Sequence, residues 1–302
     1  MKIDPISCLA CFFLLALQVK AQQTMPLYTD SIPNSTGYRM VELPVKNSTE
    51  TYGLRKISQP ALSVFRPATP NGSAVIICPG GGYYFESTLA EGTRIAEAFT
   101  KQGVTAFVLK YRLPSDSIMR NKSIGPLQDA QQAIKLVRDQ ASEWKIDAKK
   151  VGLMGFSAGG HLAATAGTHF TTAYIPNLAA TNLRPDFLIL IYPVISMTET
   201  LAHKGSKDLL LGPTPTQENV RLFSNEQQVT AQTPPTWLTH TGDDTVVPVD
   251  NSIQFYQALV RNKVPAEMHL YPAGNHGFVL KQPTDEWMQP LFAWMKKNGW
   301  LR

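Results

Sequence analysis

Val151-Gly152-Leu153-Met154-Gly155-Phe156-Ser157-Ala158-Gly159-Gly160-His161-Leu162 is the stretch on which the fold turns. Its first five residues read as a short aliphatic strand, and the run from His161 reads as the start of a helix. Between them, Gly155-Phe156-Ser157-Ala158-Gly159 fits G-x-S-x-G. That spacing has a mechanical meaning. A strand that turns sharply into a helix strains the backbone of the corner residue. Side chains two residues to either side would collide with the turn, so glycine is needed there. Ser157 is then displayed at the end of a strand, as a candidate nucleophile. A glycine-rich turn with a structural serine also fits the pentapeptide alone; the strand before and the helix after favour the nucleophile.

Upstream, Pro79-Gly80-Gly81-Gly82-Tyr83 follows the apolar run Ala74–Cys78. Consecutive glycines let the backbone approach a ligand closely and point N–H groups at it. With the N–H of Ala158, such donors would stabilise the oxyanion of a tetrahedral intermediate. Neither a dinucleotide-type glycine pattern nor a Walker lysine occurs, so a phosphate loop is disfavoured. Downstream, Thr241-Gly242-Asp243-Asp244-Thr245-Val246-Val247-Pro248 follows another candidate strand. An acid there would orient a histidine. Asp244 is the first choice, because Asp-x-x-Val-Pro sets it four residues before Pro248; Asp243 is the alternative acid. Gly274-Asn275-His276-Gly277-Phe278 follows the last candidate strand. A histidine between small loop residues is expected to be mobile enough to reach Ser157. The chain order Ser157, Asp244, His276 raises His276 above a bland surface histidine. His161 reads as a local packing or hydrogen-bonding residue, His240 ends a strand, and His169, His203 and His269 sit in no recognisable motif.

From about Pro60 the chain alternates strands with helices, the pattern of a mainly parallel twisted sheet covered on both faces. The strands are expected at 61–65, 74–78, 104–111, 151–155, 187–192, 236–241 and 267–271. Helices are expected at 89–101, 127–144, 253–260 and 287–295. Residues 197–233, richer in Pro, Thr and Gln, break the alternation and are the candidate cap over a site at the strand ends. Residues 22–56 read as a polar leader lying on the domain, with one edge strand near 38–45.

Residues 1–21 read as a signal peptide: Lys2, an apolar run from Leu9 to Leu17, then Val19-Lys20-Ala21 before a cleavage point at Gln22. The run is far short of the ~20 residues of a membrane span. Export to a periplasm or to the exterior is therefore expected, with residues 22–302 as one domain. Past residue 21 only Cys78 remains, so no internal disulfide is expected. The net charge of +5 comes without a dense basic cluster, which argues against nucleic acid as a partner. No metal-ligand spacing is present, and the chemistry proposed for these residues needs no cofactor.

Taken together, Pro-Gly-Gly-Gly-Tyr, Tyr-Arg-Leu at 111–113, Leu-Gln-Asp-Ala at 127–130, Gly-Phe-Ser-Ala-Gly-Gly-His at 155–161, Asp-Asp-Thr-Val-Val-Pro at 243–248 and His-Gly-Phe at 276–278 resemble the α/β-hydrolase esterases. More narrowly, the chain is similar to exported bacterial proteins related to acetylxylan esterases. The resemblance implies a single α/β-hydrolase domain and a carboxylic-ester hydrolase working through an acyl-enzyme. In it Ser157 is the nucleophile, His276 the general base and acid, and Asp244 the orienting acid. Gly81, Gly82 and Ala158 supply the oxyanion N–H groups. Many relatives have His where this chain has Pro79, which leaves open how the glycine loop is set. The implied substrate is a small acyl ester or an acetylated glycan of the hemicellulose type. Alternatives are a prolyl-oligopeptidase-like peptidase and a short-chain carboxylesterase or lipase without carbohydrate preference.

Overall fold

Aliphatic runs too apolar to face water become the central strands. The computed structural model describes residues 23–301; the expected signal peptide lies outside them. The N-terminal segment forms β1 (Gln23–Pro26) and a hairpin of β2 (Leu43–Lys46) and β3 (Thr51–Arg55). Then come β4 (Ala61–Phe65), β5 (Ala74–Cys78) and a short β6 (Phe85–Glu86). A π-helical turn at Thr88–Thr93 leads into α1 (Arg94–Lys101). The alternation continues through β7 (Thr105–Lys110), α2 (Gly125–Asp139), β8 (Val151–Phe156), α3 (Ser157–Thr168) and β9 (Leu188–Ile191). An insertion carries α4 (Lys204–Leu211) and α5 (Gln217–Leu222). The chain ends with β10 (Thr236–Thr241), α6 (Asp250–Arg261), β11 (Ala266–Tyr271), α7 (Thr284–Trp287) and α8 (Gln289–Lys297).

The main sheet has eight strands in the order β1-β4-β7-β5-β8-β9-β10-β11. From β7 to β11 every pair is parallel, while β4 runs antiparallel to both β1 and β7. Every residue of β5, β8, β9 and β10 is buried, as expected when helices cover both faces. Leu127, Ile134 and Val137 of α2, Leu162 of α3 and Phe255 and Leu259 of α6 pack on one face. Ile95 and Phe99 of α1 pack on the other, with Leu291 and Met295 of α8.

The pairing register positions the site. Cys78 pairs with Gly155, so the glycine loop after β5 and the corner after β8 emerge side by side. Thr241 pairs with Tyr271, so the acid loop after β10 and the histidine loop after β11 leave together.

Several expected boundaries shift. The strand expected near 38–45 falls at 43–46 and belongs to a separate three-stranded sheet, β2-β3-β6. The leader's larger contribution is β1, which extends the edge of the main sheet; three of its four residues are exposed, which is why it reads as polar. A buried cluster also anchors this segment. Arg112 pairs with Asp129 at 2.8 Å and donates to the Pro33 carbonyl, and the Tyr28 hydroxyl donates to Asp129. The helix expected to reach residue 144 stops at Asp139, and Trp144 instead packs edge-on against Phe107. The helix expected at 287–295 is split, with Pro290 in the first turn of α8. Among the described residues no helix is long and apolar enough to cross a membrane.

Candidate active site

Ser157 sits at the corner with φ +51°, a left-handed conformation unusual for a non-glycine residue. The flanking glycines are obligatory for space. A Cβ on Gly155 would lie 2.1 Å from the Gly159 carbonyl oxygen, and one on Gly159 would lie 2.2 Å from the Cys78 carbonyl oxygen. The serine motif therefore seats the first turn of α3 directly on the end of β5. Ala158 is the second residue of that helix, where the N–H has no intrahelical acceptor.

His276 Nε2 lies 2.9 Å from Ser157 Oγ, and His276 Nδ1 lies 2.7 Å from Asp244 Oδ2. A carboxylate can only accept, so Nδ1 carries the proton and Nε2 accepts from the serine hydroxyl. Asp244 is buried. Its Oδ1 accepts the N–H groups of Val246 and Val247, both at 2.9 Å. Burial works to raise its pKa, but hydrogen bonds from His240, His276 and Val247 hold it well below the usual carboxylate range. Asp243 takes a different part. Its exposed carboxylate accepts from the backbone N–H groups of Gly274 and Asn275, at 3.0 and 2.8 Å, and these hold its pKa down. Asn275 Oδ1 in turn accepts from Thr245 N–H and His276 N–H. The histidine loop, expected to reach the serine by mobility, is tethered by its backbone instead.

Behind Asp244 stands a residue that the motifs passed over. His240 is fully buried, and its Nε2 lies 3.0 Å from Asp244 Oδ2 and 3.1 Å from the Val247 carbonyl oxygen. Both are acceptors, so Nε2 holds a proton. Nδ1 lies 2.8 Å from the buried Ser252 hydroxyl. One carboxylate oxygen is thus shared by two imidazoles. The only signal in the sequence is the spacing: His240 lies four residues before Asp244, on the last turn of strand before the loop.

On the other flank, Gly81, Gly82 and Tyr83 have φ of +130°, +64° and +62°. This curls the loop so that the N–H groups of Gly81 and Gly82 donate to no acceptor among the described residues. The Gly80 N–H is already taken, at 2.8 Å, by Glu91 Oε2. Glu91 Oε1 accepts from the Tyr192 hydroxyl at 2.7 Å, and the Tyr192 ring packs 4.7 Å from that of His276. Burial pushes the Glu91 carboxyl up; the Tyr192 and Gly80 donors work against that. The Tyr111 hydroxyl donates to the Pro79 carbonyl at 2.7 Å. Buried Glu91 and Tyr111 thus fix the loop from beneath, in a chain with no side-chain donor at position 79.

The remaining histidines divide. His161 donates from Nε2 to the Phe223 carbonyl and accepts from the Tyr83 hydroxyl at Nδ1, with its pKa lowered to about 4 by burial. It fastens the segment between β9 and β10 to α3. His169 stacks on Phe223, and His269 pairs with Glu267 on the outer strand. His203, at the start of α4, approaches Gly82. Tyr84 is exposed beside a cavity of about 190 Å³ whose walls include Leu113 and Leu209. A larger cavity, about 650 Å³, lies under the N-terminal segment and is lined by none of the residues around Ser157. Among the described residues, no group of three or more His, Cys, Asp or Glu could hold a metal ion.

The sheet order, the serine corner after β8 and the loops after β5, β10 and β11 define an α/β-hydrolase. Known proteins narrow this. The BD-FAE family model matches residues 62–259, and the dienelactone hydrolase family model matches residues 219–300. The chain belongs to the BD-FAE family and is a hydrolase of the α/β-hydrolase type. It is 34% identical over 271 residues to an acetylxylan esterase of Xylanibacter ruminicola, covering 86% of this chain and 54% of that one. It is 39% identical over 209 residues to endo-1,4-beta-xylanase B of Butyrivibrio fibrisolvens, covering 68% of this chain and 32% of that one. The chain therefore spans about half, or less, of these curated relatives. A solved acetyl ester-xyloside bifunctional hydrolase from Caldicellulosiruptor lactoaceticus matches 93% of this chain and 97% of its own, at 33% identity and a TM-score of 0.77. A thermophilic esterase from Thermogutta terrifontis shares the fold at 23% identity, covering 80% of this chain and 91% of its own, with a TM-score of 0.66.

Proposed function

We propose that the protein is an exported carboxylic-ester hydrolase that removes acyl groups, acetyl above all, from hemicellulose-type glycan through an acyl-enzyme on Ser157. The observation that carries the reaction is the continuous hydrogen-bonded chain from Ser157 Oγ through His276 to Asp244. It runs beside two glycine N–H groups and a helix N-terminal N–H that donate to no described residue. Likeness to the acetylxylan esterase and to the acetyl ester-xyloside hydrolase supports the glycan acetate as substrate. The apolar run before residue 21 supports export, and sequencing the mature N-terminus from an exported fraction tests it.

In the reaction, His276 Nε2 takes the Ser157 proton as Oγ bonds to the ester carbonyl carbon. The carbonyl oxygen becomes an oxyanion held by the N–H groups of Gly81, Gly82 and Ala158. Asp244, kept ionised by its donors, stabilises the imidazolium. The carbon–oxygen bond to the alcohol breaks, and the alcohol leaves with the proton from Nε2. Water then attacks the acyl carbon, gives its proton to Nε2, and Ser157 departs with it as the acid is released. Ser157→Ala is expected to lower hydrolysis of a chromogenic acetate ester by at least about a thousandfold. Wild-type rates in that variant would overturn the reaction. Brisk cleavage of simple esters with no acetate released from acetylated xylan would leave an esterase without carbohydrate preference.

A further inference from the structure

His203 sits where the insertion after β9 meets the glycine loop. It is the N-cap residue of α4, and its Nδ1 accepts from the Ser206 N–H at 3.3 Å, with the buried Ser206 hydroxyl 2.8 Å away. A backbone N–H can only donate, so Nδ1 is the acceptor and the neutral ring carries its proton on Nε2. Burial and the nearby His276 both lower the pKa of His203, against the opposing pull of Asp244, which keeps the ring neutral. The ring edge faces the loop: Cε1 lies 3.5 Å from the position a Cβ would take on Gly82. Nε2, next to that carbon, bonds to no described residue and is not among the buried unpartnered atoms, so it is open to solvent beside the loop. The result is a fixed N–H donor beside the loop whose Gly81 and Gly82 N–H groups donate to no described residue.

We infer that His203 Nε2–H donates a hydrogen bond to a hydroxyl on the alcohol portion of the substrate and so selects esters of polyols, sugars above all, over simple esters. The inference rests on the esterase reading of Ser157 and adds a residue that binds the leaving alcohol. Carbohydrate esters carry hydroxyls on the carbons next to the ester; a phenyl ester carries none. A neutral donor suits a hydroxyl acceptor, which offers lone pairs and no charge. A plain capping role for His203 predicts no such discrimination.

The test compares three substrates: a monoacetylated methyl xyloside, its deoxy analogue lacking the adjacent hydroxyl, and 4-nitrophenyl acetate. Wild type should favour the hydroxylated over the deoxy ester by about tenfold in kcat/KM. Equal rates would overturn the inference with no variant involved. His203→Ser keeps a good N-cap but is too short to reach over Gly82. It should lose about tenfold on the hydroxylated xyloside and nothing on the other two. The same loss on all three, or none on any, would overturn the inference. Ser157→Ala run alongside separates the two readings. If it is inactive, failure of the His203 arm falls on His203 alone; if it keeps wild-type activity, the esterase reading fails and takes the inference with it.

Discussion

Two buried carboxylates flank the imidazole of His276, and their surroundings push them in opposite directions. Asp244 accepts four hydrogen bonds, from His240, His276 and the N–H groups of Val246 and Val247. Glu91 accepts two, from the Gly80 N–H and the Tyr192 hydroxyl. The pKa of Asp244 is held down and that of Glu91 is pushed up. Burial raises both carboxyls; at Asp244 the hydrogen-bond donors outweigh it, and at Glu91 they do not. The donors around Asp244 hold it in its charged form beside His276. Glu91 is built to brace: it grips the glycine loop at Gly80 and, through Tyr192, the face of the His276 ring.

The contrast is broken most severely at Asp244. Asp244→Asn should lower kcat by about 10⁴-fold, because the imidazole loses the partner that fixes its tautomer. Asp243→Asn should cost far less, about tenfold, since it only loosens the backbone of Gly274 and Asn275. Steady-state kinetics on a chromogenic acetate check both, and the reverse ranking would make Asp243 the working acid.

Glu91→Ala should follow, with a fall of about 10- to 100-fold in kcat and little change in KM, as the glycine loop loses its brace. Glu91→Gln should retain more activity, since an amide oxygen still accepts from Gly80. Stability against pH separates the two carboxylates. Glu91 has a folded pKa raised above its ordinary 4.5, so its contribution is complete below that value and lost as pH rises through the raised one. Asp244 has a folded pKa lowered below 3.8, so its contribution is present above that value and lost as pH falls through the lowered one. Melting curves should show Glu91→Gln gaining on wild type as pH rises, and Asp244→Asn closing the gap to wild type as pH falls below 4.

An effect as small as that of Asp243→Asn is expected at His240. His240→Asn should lower kcat about tenfold. It removes one of the two imidazole donors on Asp244 Oδ2, so the carboxylate holds His276 less firmly. The loss should fall on kcat with KM unchanged in steady-state kinetics on a chromogenic acetate. An unchanged kcat would reduce His240 to a packing residue.

Much of the scaffold can be read from local sequence, because its causes are local. The runs at 74–78 and 151–156 are apolar over their whole length, and Gly155 is required by the backbone of Gly159 four residues on, although Gly159 itself is required by the Cys78 carbonyl of the neighbouring strand. The leader is less legible. The edge strand β1 keeps one side in water and carries no apolar signature, and the buried Arg112–Asp129 pair that anchors the segment joins residues far apart in the chain. The split at 287–295 needed weight on Pro290 that periodicity does not give.

By itself, the sequence determined the order of the parts: a glycine loop, a serine corner, an acid loop and a histidine loop, each after a strand. These follow from local rules of turn geometry and side-chain space. Only the tertiary structure decided which aspartate faces His276, that His240 stands behind it, and that Glu91 grips Gly80 across eleven residues. The physical reason is that hydrogen bonds between loops depend on how strands are ordered and registered in the sheet. Asp243 and Asp244 are neighbours in the chain, yet one tethers a backbone and the other meets two imidazoles, because Thr241 pairs with Tyr271 and brings the two loops together at one edge.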